Sequence, residues 1–145
     1  MHEFPHHYKV EASSGPEGEA TLSGDRLDTI PSESPVEFGG PGDRWSPETL
    51  LVAAVAGCFI LSFRAIARAS RLSWTSLKCE VDGTLDRIEG TMKFTNFVVR
   101  ATLDVPQGTN EERAHRLLEK AERSCLVTNS LSGETRLDAK VQKAS

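Results

Sequence analysis

The feature that most constrains this chain is the run from Leu50 to Leu61, LLVAAVAGCFIL, which carries no charged side chain. Ser46, Pro47 and Glu48 precede it. Ser46 suits an N-cap and Pro47 the first helical position, while Glu48 lies where the helix dipole favours an anion. The spacing predicts a helix whose apolar face runs through Leu51, Ala54, Val55, Cys58, Leu61, Ser62 and Ala65, broadened by Leu50, Phe59 and Phe63. A helix apolar nearly all round belongs at the centre of its domain. The run is shorter than the roughly 20 residues a bilayer demands, and Arg64, Arg68 and Arg71 bring the second half into water.

Short strand-like pieces lie before this helix: YKVEA, EATLS and RLDTI, separated by turn-forming SSGPEG and SGD. They read as a hairpin or small meander. PSESPVEFGGPGDRW is dense in turn residues and reads as a loop. After the helix, Ser73–Glu89 alternates, with Leu77, Cys79, Val81, Gly83 and Leu85 on one face. In Thr91–Val105 the apolar phase slips between Met92/Phe94 and Phe97/Val99, which predicts a bulge near Asn96. A second helix is expected from about Asn110 to Arg123, with Thr109 and Glu112 as a capping box. Its inward stripe is Ala114, Leu117, Leu118 and Ala121. SCLVTNSLSGE reads as a short helical turn, and TRLDAKVQ as a closing strand. Helices and strands do not alternate, so the class is α+β rather than doubly wound. With 145 residues, residues 1–145 are expected to form a single domain with a substantial core.

The net charge of −4 and the pI of about 5.6 lack the basic footprint of a nucleic-acid binder or an electrostatic membrane binder. MHEFPHHYKV has no apolar signal-peptide core. The three cysteines, Cys58, Cys79 and Cys125, form no disulfide framework. A cytoplasmic protein with reduced thiols is the expectation.

The thiols carry the chemistry. Glu48 precedes Cys58 by ten residues, about 15 Å of helix rise. A bare carboxylate would raise a thiol pKa, so a nucleophilic Cys58 calls for an intervening cation, with Arg44 and Arg26 on offer. Cys58 also reads as a small core hydrophobe. Cys125 stands at a helix start that would acidify it, or equally at a buried helix junction. Cys79 alternates with Leu77 and Val81 and reads as core. No zinc-site spacing, serine triad, P-loop or dinucleotide fingerprint is present.

GGPGDRWSPETLLVAAVAGCF and AERSCLVTNSLSGE resemble the two cysteine segments of the OsmC/Ohr family, and the order of elements agrees along nearly the whole chain. The resemblance implies an OsmC-like fold, with antiparallel sheets around a long central helix in an intertwined homodimer whose sites lie at the subunit interface. It implies a thiol-dependent peroxidase for organic hydroperoxides. Cys58 would be the peroxidatic cysteine, Cys125 the resolving cysteine, and Glu48 the holder of a catalytic arginine. An external dithiol, of lipoyl type or similar, would recycle the enzyme, with no metal, flavin or haem. Leu126 stands where the family commonly has proline. One family slot for the arginine falls near Phe38 and the other in an arginine-free turn, which leaves Arg44 as the nearest candidate with Arg26 behind it. The alternatives on the same fold are a non-catalytic binder of apolar ligands or hydroperoxides, and a redox sensor.

Overall fold

The computed structural model describes residues 2–144. The chain divides into two compact units, Met1–Leu51 and Val52–Ser145.

The first unit is built on an antiparallel meander of β1 (Glu11–Ser13), β2 (Ala20–Ser23) and β3 (Ile30–Ser32), in that order. The strands are shorter than their apolar runs. Arg26 takes a left-handed φ of 64°, and the Leu27 N–H donates to Gly24 O at 3.1 Å. RLDTI is therefore mostly turn, and its strand begins only at Ile30. The loop that follows contains a short 3-10 turn at Val36–Phe38. A Cβ at Gly40 would fall 1.6 Å from Ser34 O, so only glycine allows this close backbone passage. Trp45 is tied back to the meander through the Glu33 N–H, which donates to Trp45 O at 3.0 Å.

Helix α1 spans Pro47–Ala69. Ser46 Oγ accepts from the Thr49 N–H at 3.1 Å, and Thr49 Oγ1 accepts from the Ser46 N–H at 2.9 Å, a reciprocal cap that satisfies two otherwise orphaned donors. The helix ends in a Schellman motif. Arg71 adopts φ 55°, its N–H donates to Arg68 O, and the Leu72 N–H donates to Ala67 O. The buried residues of α1 are Val55, Phe59, Phe63 and Ala67. The stripe is thus rotated from the expected face: Ala54, Leu61 and Ala65 are exposed, and Cys58 and Ser62 are half-buried. Periodicity cannot choose among the faces of a helix apolar all round, and the large aromatic side chains took the interior.

The second unit contains β4 (Ser76–Ile88), β5 (Thr91–Val105) and β6 (Glu134–Lys143), in sheet order β4-β5-β6. β4 and β5 form a long antiparallel hairpin, but β6 runs parallel to β5. This departs from the expectation of antiparallel sheets. Its cause is the crossover between β5 and β6 through α2 (Glu111–Arg123) and α3 (Leu126–Asn129). The β4–β5 register shifts where Thr84 pairs with Asn96 and Leu85 with Phe94, leaving Thr95 as the extra residue. That bulge turns Phe94 and Phe97 to the same face, where their rings stack at 5.4 Å.

Across the sheet, Val81–Val99–Leu137, Cys79–Ala101–Ala139 and Leu77–Leu103–Val141 form rows on one face. The β5 members of these rows are buried, together with Phe97 and Val105. Ala114, Leu118 and Ala121 give α2 its buried stripe. The N-cap of α2 is Asn110, whose side chain accepts from the Arg113 N–H at 3.1 Å. Thr109, the expected cap, instead donates through Oγ1 to Pro106 O at 2.8 Å, in the preceding turn.

Candidate active site

Within the second unit, α1 and the short helix α3 bring two thiols together. Cys58 is half-buried on α1, and Cys125 is the buried N-cap of α3. Each thiol shifts the ionisation of the other. This proximity depends on the crossover that returns α3 to α1, which local sequence does not reveal. Cys79 lies half-buried on the covered face of β4, in the row with Ala101 and Ala139.

The environments of the three thiols differ. Burial opposes ionisation of Cys58. The N–H of Val127, the Cys125 thiol, the Ser62 hydroxyl and the N–H of Leu126 outweigh it as hydrogen-bond donors, and the Cys58 pKa falls below the ordinary thiol value. Cys125 goes the other way. Burial raises it, and so do the hydrogen bond and charge of Cys58, while Thr128 opposes these through its N–H and hydroxyl. Cys79 is pushed up to about 11, by burial first and then by the charge of Cys125. Of the interacting pair, Cys58 gives up its proton first, and its charge then holds Cys125 protonated.

The donors on Cys58 were not apparent as functional groups in the sequence. Ser62 stood only as one residue of an apolar face. Its i+4 spacing from Cys58 was the available signal. The N–H groups of Leu126 and Val127 become donors because α3 starts beside Cys58, a tertiary fact.

The first unit holds the other site residues. Arg44 Nε donates to Glu19 Oε2 at 2.9 Å, and Nη1 lies 3.7 Å from Asp43 Oδ2. The hydrogen bond to Glu19 and the charges of Asp43 and Glu19 hold the Arg44 guanidinium above its ordinary pKa. Glu48 is half-buried in the first turn of α1, and its Oε1 is buried with no hydrogen-bond partner among the described residues. The expected Arg44–Glu48 pair is therefore not formed in this structure: the turn before β2 places Glu19 where it captures Arg44. Arg26 occupies the β2–β3 turn. Among the described residues no cluster of His, Cys, Asp or Glu could hold a metal ion.

The chain is thus α+β, with a long helix, two sheets and two thiols that perturb each other's ionisation. Comparison with known proteins narrows the class. Residues 40–140 match the family model described as OsmC-like protein. The chain is 32% identical over 125 residues to the organic hydroperoxide resistance protein of Xanthomonas axonopodis pv. citri, covering 84% of each chain. It is 28% identical over 113 residues to the uncharacterised protein YmaD of Bacillus subtilis, covering 74% of this chain and 75% of that one. Among solved structures, an OsmC-like protein of unknown function from Vibrio cholerae superposes with a TM-score of 0.83 at 20% identity, covering 93% of this chain and 99% of that one. The chain belongs to the OsmC/Ohr family.

Proposed function

We propose that this protein is a two-cysteine peroxidase that reduces organic hydroperoxides to alcohols, with Cys58 as the peroxidatic and Cys125 as the resolving thiol. One observation carries the reading: two thiols that perturb each other's ionisation have pKa values moved in opposite directions, Cys58 down and Cys125 up. The thiolate is the nucleophile in such chemistry, so the pair contains one group ready to attack and one held in reserve.

The Cys58 thiolate attacks the distal oxygen of the hydroperoxide. The S–O bond forms, the O–O bond breaks, and the departing alkoxide takes a proton and leaves as the alcohol. Cys58 is then a neutral sulfenic acid. With its negative charge gone, one of the influences that kept Cys125 protonated is removed. The Cys125 thiolate attacks the Cys58 sulfur, the S–OH bond breaks, and hydroxide leaves as water after protonation. An external dithiol reduces the Cys58–Cys125 disulfide by exchange.

In this reading Arg44 and Glu48 form the supporting pair, and Arg44 must exchange Glu19 for the unpartnered Glu48 carboxylate. The protein works as a homodimer. Only 22% of the most apolar window of α1 is buried in the single chain, and the exposed line Ala54, Gly57, Leu61 and Ala65 is a helix surface suited to a second copy. The cytoplasm supplies the reducing conditions that the cycle requires. The name of the Xanthomonas relative points to the same substrate class. Steady-state reduction of cumene hydroperoxide with a dithiol as electron source tests the proposal. Wild type should turn over, Cys58→Ser should lose the activity, and unchanged activity in Cys58→Ser would refute the assignment.

A further inference from the structure

Ser62 lies one helical turn after Cys58, with its hydroxyl oxygen 3.9 Å from Cys58 Sγ. Residues at i and i+4 share a helix face, and helical side chains tilt toward the N-terminus, so Ser62 leans back over the thiol. A serine within a helix commonly donates to the carbonyl one turn behind it. Two serines at helix C-caps of this chain make the same bond: Ser124 donates to Lys120 O and Ser130 to Leu126 O, each at 2.8 Å. Ser62 is directed at sulfur instead. Between a neutral thiol and a hydroxyl either group can be the donor, but once Cys58 ionises only the hydroxyl carries a proton to give. Both side chains are half-buried, where a charge-assisted hydrogen bond is less weakened by water. The guanidinium that the family resemblance assigns to activation is meanwhile engaged by Glu19 and Asp43.

We propose that Ser62 is a hydrogen-bond donor to the Cys58 thiolate and helps to keep it ionised at neutral pH. The inference deepens the peroxidatic reading of Cys58 and rests on it, but its test reads the thiolate without any peroxide. The prereduced full-length protein is alkylated with iodoacetamide across a pH series, and labelling of the Cys58 peptide is followed by mass spectrometry. Wild type, Ser62→Ala and Ser62→Thr are compared. The expected result is a reactivity midpoint displaced to higher pH in Ser62→Ala, with labelling at neutral pH roughly three- to tenfold slower. Ser62→Thr, which keeps the hydroxyl, retains the wild-type midpoint. On the alkaline plateau Ser62→Ala reacts as fast as wild type or faster, because a more basic thiolate is the stronger nucleophile. A merely structural role would change the rate at every pH and leave the midpoint in place. An unchanged midpoint in Ser62→Ala, or the same displacement in Ser62→Thr, overturns the proposal. A displaced midpoint in a protein that reduces no hydroperoxide would keep the hydrogen bond and remove the peroxidase reading. Hydroperoxide reduction with an undisplaced midpoint would do the reverse.

Discussion

Gly83→Ala sets two opposing effects against each other at the place where α1 meets the sheet. Gly83 pairs with Phe97 on the covered face of β4, just before the bulge. A Cβ there would stand 3.0 Å from Val52 Cγ2 and 3.2 Å from ring atoms of both Phe94 and Phe97. Alanine in a strand gains roughly 0.5–1 kcal/mol over glycine through the unfolded chain. Overpacking costs about 1–3 kcal/mol where the neighbours cannot yield. Phe97 is fully buried and stacks on Phe94, so the Phe97 ring has little room to retreat. Crowding should win by about 1 kcal/mol, and for a domain of this size that lowers Tm by roughly 2–5 °C. Circular dichroism melts at one fixed protein concentration measure this, since association would itself shift Tm. An unchanged or raised Tm would show that α1 slides away from the sheet at no cost, and would refute the claim that Gly83 sets their close approach.

Other outcomes follow from the same structure. Phe63→Ala removes a fully buried ring that meets Trp74 edge-on at 5.5 Å, and should cost about 3–5 kcal/mol in urea unfolding. Cys125→Ser should stop the cycle after the first oxidation, leaving a Cys58 sulfenic acid that dimedone traps and mass spectrometry detects. Arg44→Ala should leave Tm unchanged, because the Glu19 pair is solvent-exposed, yet slow reduction of cumene hydroperoxide. Cys79 has a native pKa of about 11 against an ordinary 9.0, so the unfolded chain releases its proton first as pH rises. Stability should therefore decline between those values, and Cys79→Ala should decline less in pH-dependent unfolding.

The sequence carried those parts of the fold that depend on local pattern. The phase slip around Asn96 located the bulge, because strand alternation cannot change face without an extra residue, here Thr95. Ser46 and Pro47 located the start of α1 for the same local reason. The buried face of α1 was not legible, since LLVAAVAGCFIL offers apolar groups in every direction and side-chain volume decided among them. The parallel pairing of β6 was equally hidden, because a strand's own alternation is the same in either direction. At the candidate site, residue types and spacing left Cys58 and Cys125 open between core and chemistry, and only the family resemblance paired them. The donors around Cys58 and the capture of Arg44 by Glu19 join residues far apart in the chain, and only the folded structure brings them together.

The central claim is that Cys58 and Cys125 form one redox pair, and disulfide mapping after a single oxidation tests it most directly. The prereduced protein is mixed with one equivalent of cumene hydroperoxide in a stopped-flow instrument, quenched with alkylating agent, digested and read by mass spectrometry, with hydrogen peroxide run in parallel. The account predicts rapid consumption of the organic peroxide, slower reaction with hydrogen peroxide, and a Cys58–Cys125 bridge within one chain while Cys79 stays alkylated. Slow reaction with both peroxides and two freely alkylated thiols at Cys58 and Cys125 would contradict it.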